Sequence, residues 1–159
     1  MLKISLIVVG EKMPQWVVQG YQEYVKRIQR IRGRAQLNLI EVPAIRRGKN
    51  VDINRIVQLE ERKILNALPK KARIIALDRG GKSYSTEAFS EKIKCWLDQV
   101  EAVAMVVGGP EGLSDEFINN ADESWSLSTL TLAHPLVRVV LAEQLYRCLS
   151  ILDGTPYHR

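Results

Sequence analysis

Residues Ala102–Leu113, AVAMVVGGPEGL, decide the fold. The stretch opens as an uncharged aliphatic run, too short to span a membrane and suited to a parallel strand buried on both faces. Gly108, Gly109, Pro110 and Gly112 then impose a tight turn whose backbone can approach a ligand closely. Ser114 follows as a capping residue, with Asp115 and Glu116 in the first turn of a short helix. The unit is strand, glycine-rich loop, helix. In open α/β sheets ligands bind beyond the carboxyl ends of strands, so this loop is the first place to look for function.

Similar units flank it on both sides. Leu2–Val9 is a strand candidate ended by Gly10, and Val17, Tyr21, Tyr24, Val25 and Ile28 recur at helical spacing after Pro14. Leu37–Val42 is a second strand, followed by a helix over Asp52–Leu68 with Ile53, Ile56, Val57, Ile64, Leu65 and Leu68 along its apolar stripe. The run RIIAL, Arg73–Leu77, is a third strand leading into a second glycine loop, Asp78–Lys82. Ser85 caps a helix whose apolar face carries Phe89, Ile93, Trp96, Leu97 and Val100. Alternation across SWSLSTLTL, residues 124–132, predicts a fifth strand. Pro135 opens a last long helix, and Gly154 stands at its C-cap. Strands alternating with helices predict an α/β protein with a mainly parallel sheet flanked by helices.

A chain of 159 residues with 46% apolar and 26% charged residues fits one soluble domain over residues 1–159. No transmembrane segment or signal peptide is evident, so a cytoplasmic location without membrane partners is expected. The net charge of +5 and pI near 9.3 suit a polyanionic partner. Cys95 and Cys148 lie far apart in apolar helical patterns and read as small buried hydrophobes, and two histidines with no CxxC argue against a structural metal.

The sequence lacks a Walker motif, the GxGxxG dinucleotide fingerprint and a GxSxG elbow. Three strand-end segments remain: the one after Leu77, the turn at Gly108, and Ser126–Leu132. The last sets serine and threonine among leucines. It suits a purine with a thioether or sulfonium group, or else simply packs as core. Arg46, Arg47 and Lys49 around Gly48 form a compact basic loop that either holds phosphate oxygens or is a solvated surface loop.

The motifs GGPEGL, SWSLSTLTLAHPLVRVVLAEQLYR and the terminal PYHR, with KMPxW near the start and the RRGKN loop, cover essentially the whole chain. Together they resemble the SPOUT-class methyltransferases that modify N3 of a pseudouridine in large-subunit (23S) ribosomal RNA. The resemblance implies a C-terminal trefoil knot, S-adenosyl-L-methionine as methyl donor, a homodimer, and ribosomal RNA, on assembled ribosomes, as substrate. It implies cofactor contacts at Leu77, Gly108, Leu127, Ser128, Thr129, Leu130, Thr131 and Leu132. On the acceptor side it implies Arg138, Tyr157, His158 and Arg159, with His158 handling the N3 proton or only contacting the base. His134, beside Pro135, is expected to be structural. Valine at Gly108 is expected to crowd the cofactor wall and weaken binding more than folding. Two other readings stay open, a non-catalytic RNA- or ribosome-binding module and a SPOUT methyltransferase acting on a different RNA.

Overall fold

The computed structural model describes residues 1–99 and 102–158, with His158 described by its backbone. Its strands are β1 (Leu2–Val9), β2 (Ala35–Val42), β3 (Arg73–Ser83), β4 (Ala102–Val107) and β5 (Glu123–Ser126). Helices α1 (Gln15–Arg30), α2 (Ile53–Ala67), α3 (Thr86–Gln99), α4 (Asp115–Asn120) and α5 (His134–Asp153) alternate with them, and a 3₁₀ turn, Pro156–His158, ends the described chain. The sheet order is β2-β1-β4-β3-β5, every pairing parallel.

Alternation of side chains along β1 explains the layering. Leu2, Ile4, Leu6 and Val8 pack in one core with residues of α1, α3 and α5, while Ile7 and Val9 pack in a second core with Ile64 of α2 and Phe117 of α4. Both faces of the sheet are therefore covered, as the unbroken aliphatic runs of β1 and β4 require. The predicted caps are present: Ser114 Oγ accepts from the Phe117 amide and Ser85 Oγ from the Ala88 amide, each at 3.1 Å. Gly154 ends α5 in the left-handed conformation. No described helix is long and apolar enough to cross a membrane.

Four local expectations need correction. The strand predicted over 124–132 stops at Ser126, because serine hydroxyls turn the chain out of the sheet: Ser126 Oγ donates to the Ser128 carbonyl and the Leu130 amide donates to Ser128 Oγ, both at 3.0 Å. The loop predicted over Asp78–Lys82 is an excursion within β3. Leu77 and Lys82 both pair with Trp125, so residues 78–81 bulge out and the strand rejoins the sheet. Along α2, Ile53 and Leu65 face solvent, and Glu60 takes a place in the buried stripe between Ile56 and Ile64. Cys95 is exposed; Cys148 is buried, and burial pushes its thiol up to about 12. Val100, assigned to the apolar face of α3, lies outside the described residues.

Candidate functional site

The carboxyl ends of β3, β4 and β5 open on a cleft of about 120 Å³. Its apolar wall comes from Leu77 and Val107, the last sheet-paired positions before the β3 bulge and the glycine turn, with Leu127, Leu130, Leu132 and Val137 opposite. Asp78, Arg79, Ser128 and Thr131 add polar atoms at the rim. Buried Trp125 forms part of the wall, backed by an aromatic stack: its ring lies 5.5 Å from Trp96, 5.0 Å from Phe89 and 4.6 Å from Tyr84, centroid to centroid.

Of the eight cofactor positions implied by the resemblance, the cleft brings together Leu77, Leu127, Ser128, Leu130, Thr131 and Leu132. Thr129 is on the same loop without lining the cleft, and Gly108 follows the lining residue Val107 at the start of the turn. A β-carbon at Gly108 would stand 2.6 Å from the Gly112 carbonyl carbon, 2.7 Å from its oxygen and 3.0 Å from the Leu113 nitrogen. Its lack of a side chain thus serves the turn's own closure, and the expected crowding of a cofactor wall by valine gives way to a clash inside the turn. Sequence reading passed over Val107, Trp125 and Val137 as ordinary core, and nothing in a one-dimensional pattern singles them out.

The lining suits an adenosine-type ligand. Leucines offer flat apolar contact, and the amides of Thr129, Thr131 and Leu132 have no intramolecular acceptor among the described residues, leaving backbone donors for ring nitrogens or a carboxylate. A Gly-Gly-Pro-Glu-Gly turn, with one amide lost to Pro110, is not a phosphate cradle.

Arg138 lies near the start of α5 but points away from the cleft. It is 2% exposed, donating from Nη1 to Glu41 and from Nη2 to the Gly10 carbonyl, each at 2.8 Å. Beside it, burial raises the Tyr21 phenol well above its usual value, with Arg138 pulling the other way. His134 Nε2 donates to the Val9 carbonyl at 2.7 Å. Burial, then the Arg138 charge, hold its ring below the usual histidine value, so it sits neutral as a structural tie between β1 and α5.

The tail is elsewhere. Helix α5 has 20 residues and is about 30 Å long. Val137 at its start lines the cleft, whereas Leu152 at its end lines a groove with Met1 and Leu2, at the amino end of β1. Beyond Gly154 the chain turns back along α5, setting the Tyr157 ring 4.6 Å from Tyr146 and under the Arg147 guanidinium, its hydroxyl donating to Glu143 at 3.3 Å. Burial first, then a hydrogen bond with Tyr24, push its phenol up to about 12. Tyr157 is thus held on the middle of α5 and does not line the cleft of its own chain. Arg159 lies outside the described residues.

An all-parallel, doubly covered sheet with an apolar, amide-bearing cleft at its strand ends, and with no phosphate loop there, defines an α/β protein of the open-sheet kind whose cleft suits a nucleoside-like ligand. Comparison with known proteins sharpens the class. The family described as "Predicted SPOUT methyltransferase" matches residues 2–158, and the chain belongs to that family. Proteins named "Ribosomal RNA large subunit methyltransferase H" are similar to it along their whole length. The one from Hahella chejuensis is 51% identical over 158 residues and the one from Thioalkalivibrio sulfidiphilus 49% over 158, each covering 99% of both chains. The Legionella pneumophila protein is 49% identical over 160 residues, covering all of both. Among solved structures, the tRNA (m1G37) methyltransferase from Aquifex aeolicus shares the fold at a TM-score of 0.55 and 14% identity, over 92% of this chain and 69% of that one. A "probable methylase family protein" from Haemophilus influenzae Rd KW20 does so at 0.53 and 13%, over 99% and 70%.

Proposed function

We propose that this chain transfers the methyl group of S-adenosylmethionine to N3 of a pseudouridine in large-subunit ribosomal RNA, acting in the cytoplasm on assembled ribosomes. In this reading it works as a homodimer of single 1–159 domains, each with a C-terminal trefoil knot. One observation carries the proposal: identity near one half, end to end, with relatives named as large-subunit ribosomal RNA methyltransferases. The cleft supports the cofactor, and the net charge of +5 supports a polyanionic substrate.

Bound in the cleft, S-adenosylmethionine supplies a methyl group already activated on sulfonium, so the protein's task is alignment and handling of the N3 proton. Leu77, Leu127, Leu130 and Leu132 hold the adenosine part and exclude water, and the free amides of the 127–132 loop fix its orientation. Tyr157, His158 and Arg159 form the acceptor side, with a ring to stack on a base, an imidazole to meet the N3 proton or the base, and a guanidinium for phosphate; Arg138, buried between Glu41 and the Gly10 carbonyl, serves that side by position and not by direct contact. Because Tyr157 is held against Glu143 and Tyr146 of its own α5 and does not line its own cleft, the tail that completes each site comes from the partner subunit.

Mass spectrometry of 23S RNA from cells with and without the protein tests the reaction. The expected result is one N3-methylpseudouridine lost with the gene and restored by purified protein acting on ribosomes; an altered tRNA with unchanged 23S RNA would redirect the proposal to another substrate. Deleting Tyr157–Arg159 is expected to leave calorimetric S-adenosylmethionine binding near normal while methyl transfer falls by about 10²-fold or more. Intact transfer would remove the tail from the site.

A further inference from the structure

Helix α2 sets two consecutive carboxylates, Glu60 and Glu61, against the glycine turn, and the transfer chemistry uses neither. Glu61 accepts from the Ser114 amide at 2.6 Å and from its hydroxyl at 2.8 Å, holding the turn's far end. Glu60 is 2% exposed and accepts from the Ile45 amide at 3.1 Å. Between Glu60 and the turn lies Arg47 of the RRGKN loop. Its Nη2 donates to Glu60 at 3.1 Å, its Nε to both oxygens of Glu111 at 3.0 and 3.1 Å, and its Nη1 to the Ile45 carbonyl at 2.9 Å. A close Nη2 contact to Glu111 completes the fork. Gly109 is packed into the same junction, where a β-carbon would stand 3.0 Å from Glu60 Oε1 and 3.2 Å from Arg47 Nη2.

We propose that Arg47 is a positioning residue for the cofactor wall: by clasping Glu111 to buried Glu60 it fixes the Gly108–Gly112 turn that continues from Val107, and does so instead of binding RNA. The cofactor half of this statement rests on the function proposed above. All three guanidinium nitrogens already donate to protein oxygens. Giving them to a phosphate would leave the Glu60 carboxylate buried without its counter-charge, a costly exchange. A bidentate guanidinium fork also fixes direction as a lysine cannot, which suits a residue that sets a turn's geometry. Arg46 and Lys49, both exposed, remain free of this junction and are the residues of the loop left to meet a polyanion.

Glu111→Gln in the full-length protein tests the clasp, since Glu111 sits on an exposed turn and its replacement leaves Glu60 paired with Arg47; Arg47→Lys is the conservative companion. Three quantities are read: amide hydrogen exchange of Gly109–Leu113 in cofactor-free protein, calorimetric Kd for S-adenosylmethionine, and KM for ribosomes. In Glu111→Gln the turn amides should exchange faster and Kd rise about tenfold with ribosome KM unchanged, and Arg47→Lys should fall between this variant and wild type. Unchanged exchange and Kd would overturn the proposal. So would a raised ribosome KM at unchanged Kd, which would make Arg47 an RNA contact. If the wild-type protein does not bind S-adenosylmethionine, the proposed function fails at the cofactor, and the exchange measurement alone decides whether the clasp holds the turn.

Discussion

Gly108→Ala should abolish most of the methyl-transfer activity, by about a hundredfold, and should lower stability at the same time. The added carbon falls 2.6–2.7 Å from the carbonyl group of Gly112, and every atom it meets there is backbone of the turn itself. The turn is closed by the Gly112 amide donating to the Gly109 carbonyl at 2.9 Å, so it can relieve the clash only by opening. An overpacked site of this kind costs about 1–3 kcal/mol. Opening also displaces Val107, part of the cleft wall, so binding and folding should suffer together. Thermal unfolding and S-adenosylmethionine titration on the same sample check this, and a variant with unchanged Tm and Kd would show that the turn accommodates a side chain.

Trp125→Ala should have the largest effect on stability, about 3–5 kcal/mol, seen as a fall in Tm of roughly 10 °C. Trp125 is 3% exposed and is the ring around which Tyr84, Phe89 and Trp96 assemble. Its backbone also receives the return of β3, since a β-carbon on Gly81 would lie 2.6 Å from the Trp125 nitrogen. Truncation therefore leaves a cavity under β5 and loosens the strand that launches the 127–132 loop. Trp125→Phe keeps an aromatic filling and removes an indole N–H that has no acceptor among the described residues, so it should cost much less. Equal losses for both variants would mean that the stack, rather than the filled volume, is what matters.

The sheet was legible in the sequence because burial on both faces writes itself as an uninterrupted aliphatic run, as in β1 and β4. Caps at Ser85, Ser114 and Gly154 were legible for the same reason, each being a local event with a local signature. What escaped were contacts between distant segments. The rejoining of β3 after Gly81 depends on the backbone of Trp125, 44 positions further on, and no spacing rule reports that approach. Glu60 left a usable trace: a carboxylate four residues from both Ile56 and Ile64, on the buried stripe, marks an ion pair whose partner is yet to be found. The segment SWSLSTLTL deceived because its alternation is that of a strand, while its serines bond to the chain beside them. The terminal motif PYHR is recognisable in one dimension, but that Tyr157 turns back onto Glu143 and Tyr146 of α5 without lining the cleft is a fact of three.

The aromatic stack also has an optical consequence. The chain has three tryptophans, and two of them, Trp96 and Trp125, lie stacked, with Trp125 in the cleft wall, while Trp16 stands 58% exposed on α1. The protein thus carries its own lamp in the cleft wall and a second one outside it. Filling the cleft alters the surroundings of the inner emitter and leaves the outer one in water, and a Trp16→Phe variant removes that background, so occupancy can be followed as a colour and intensity change without any label.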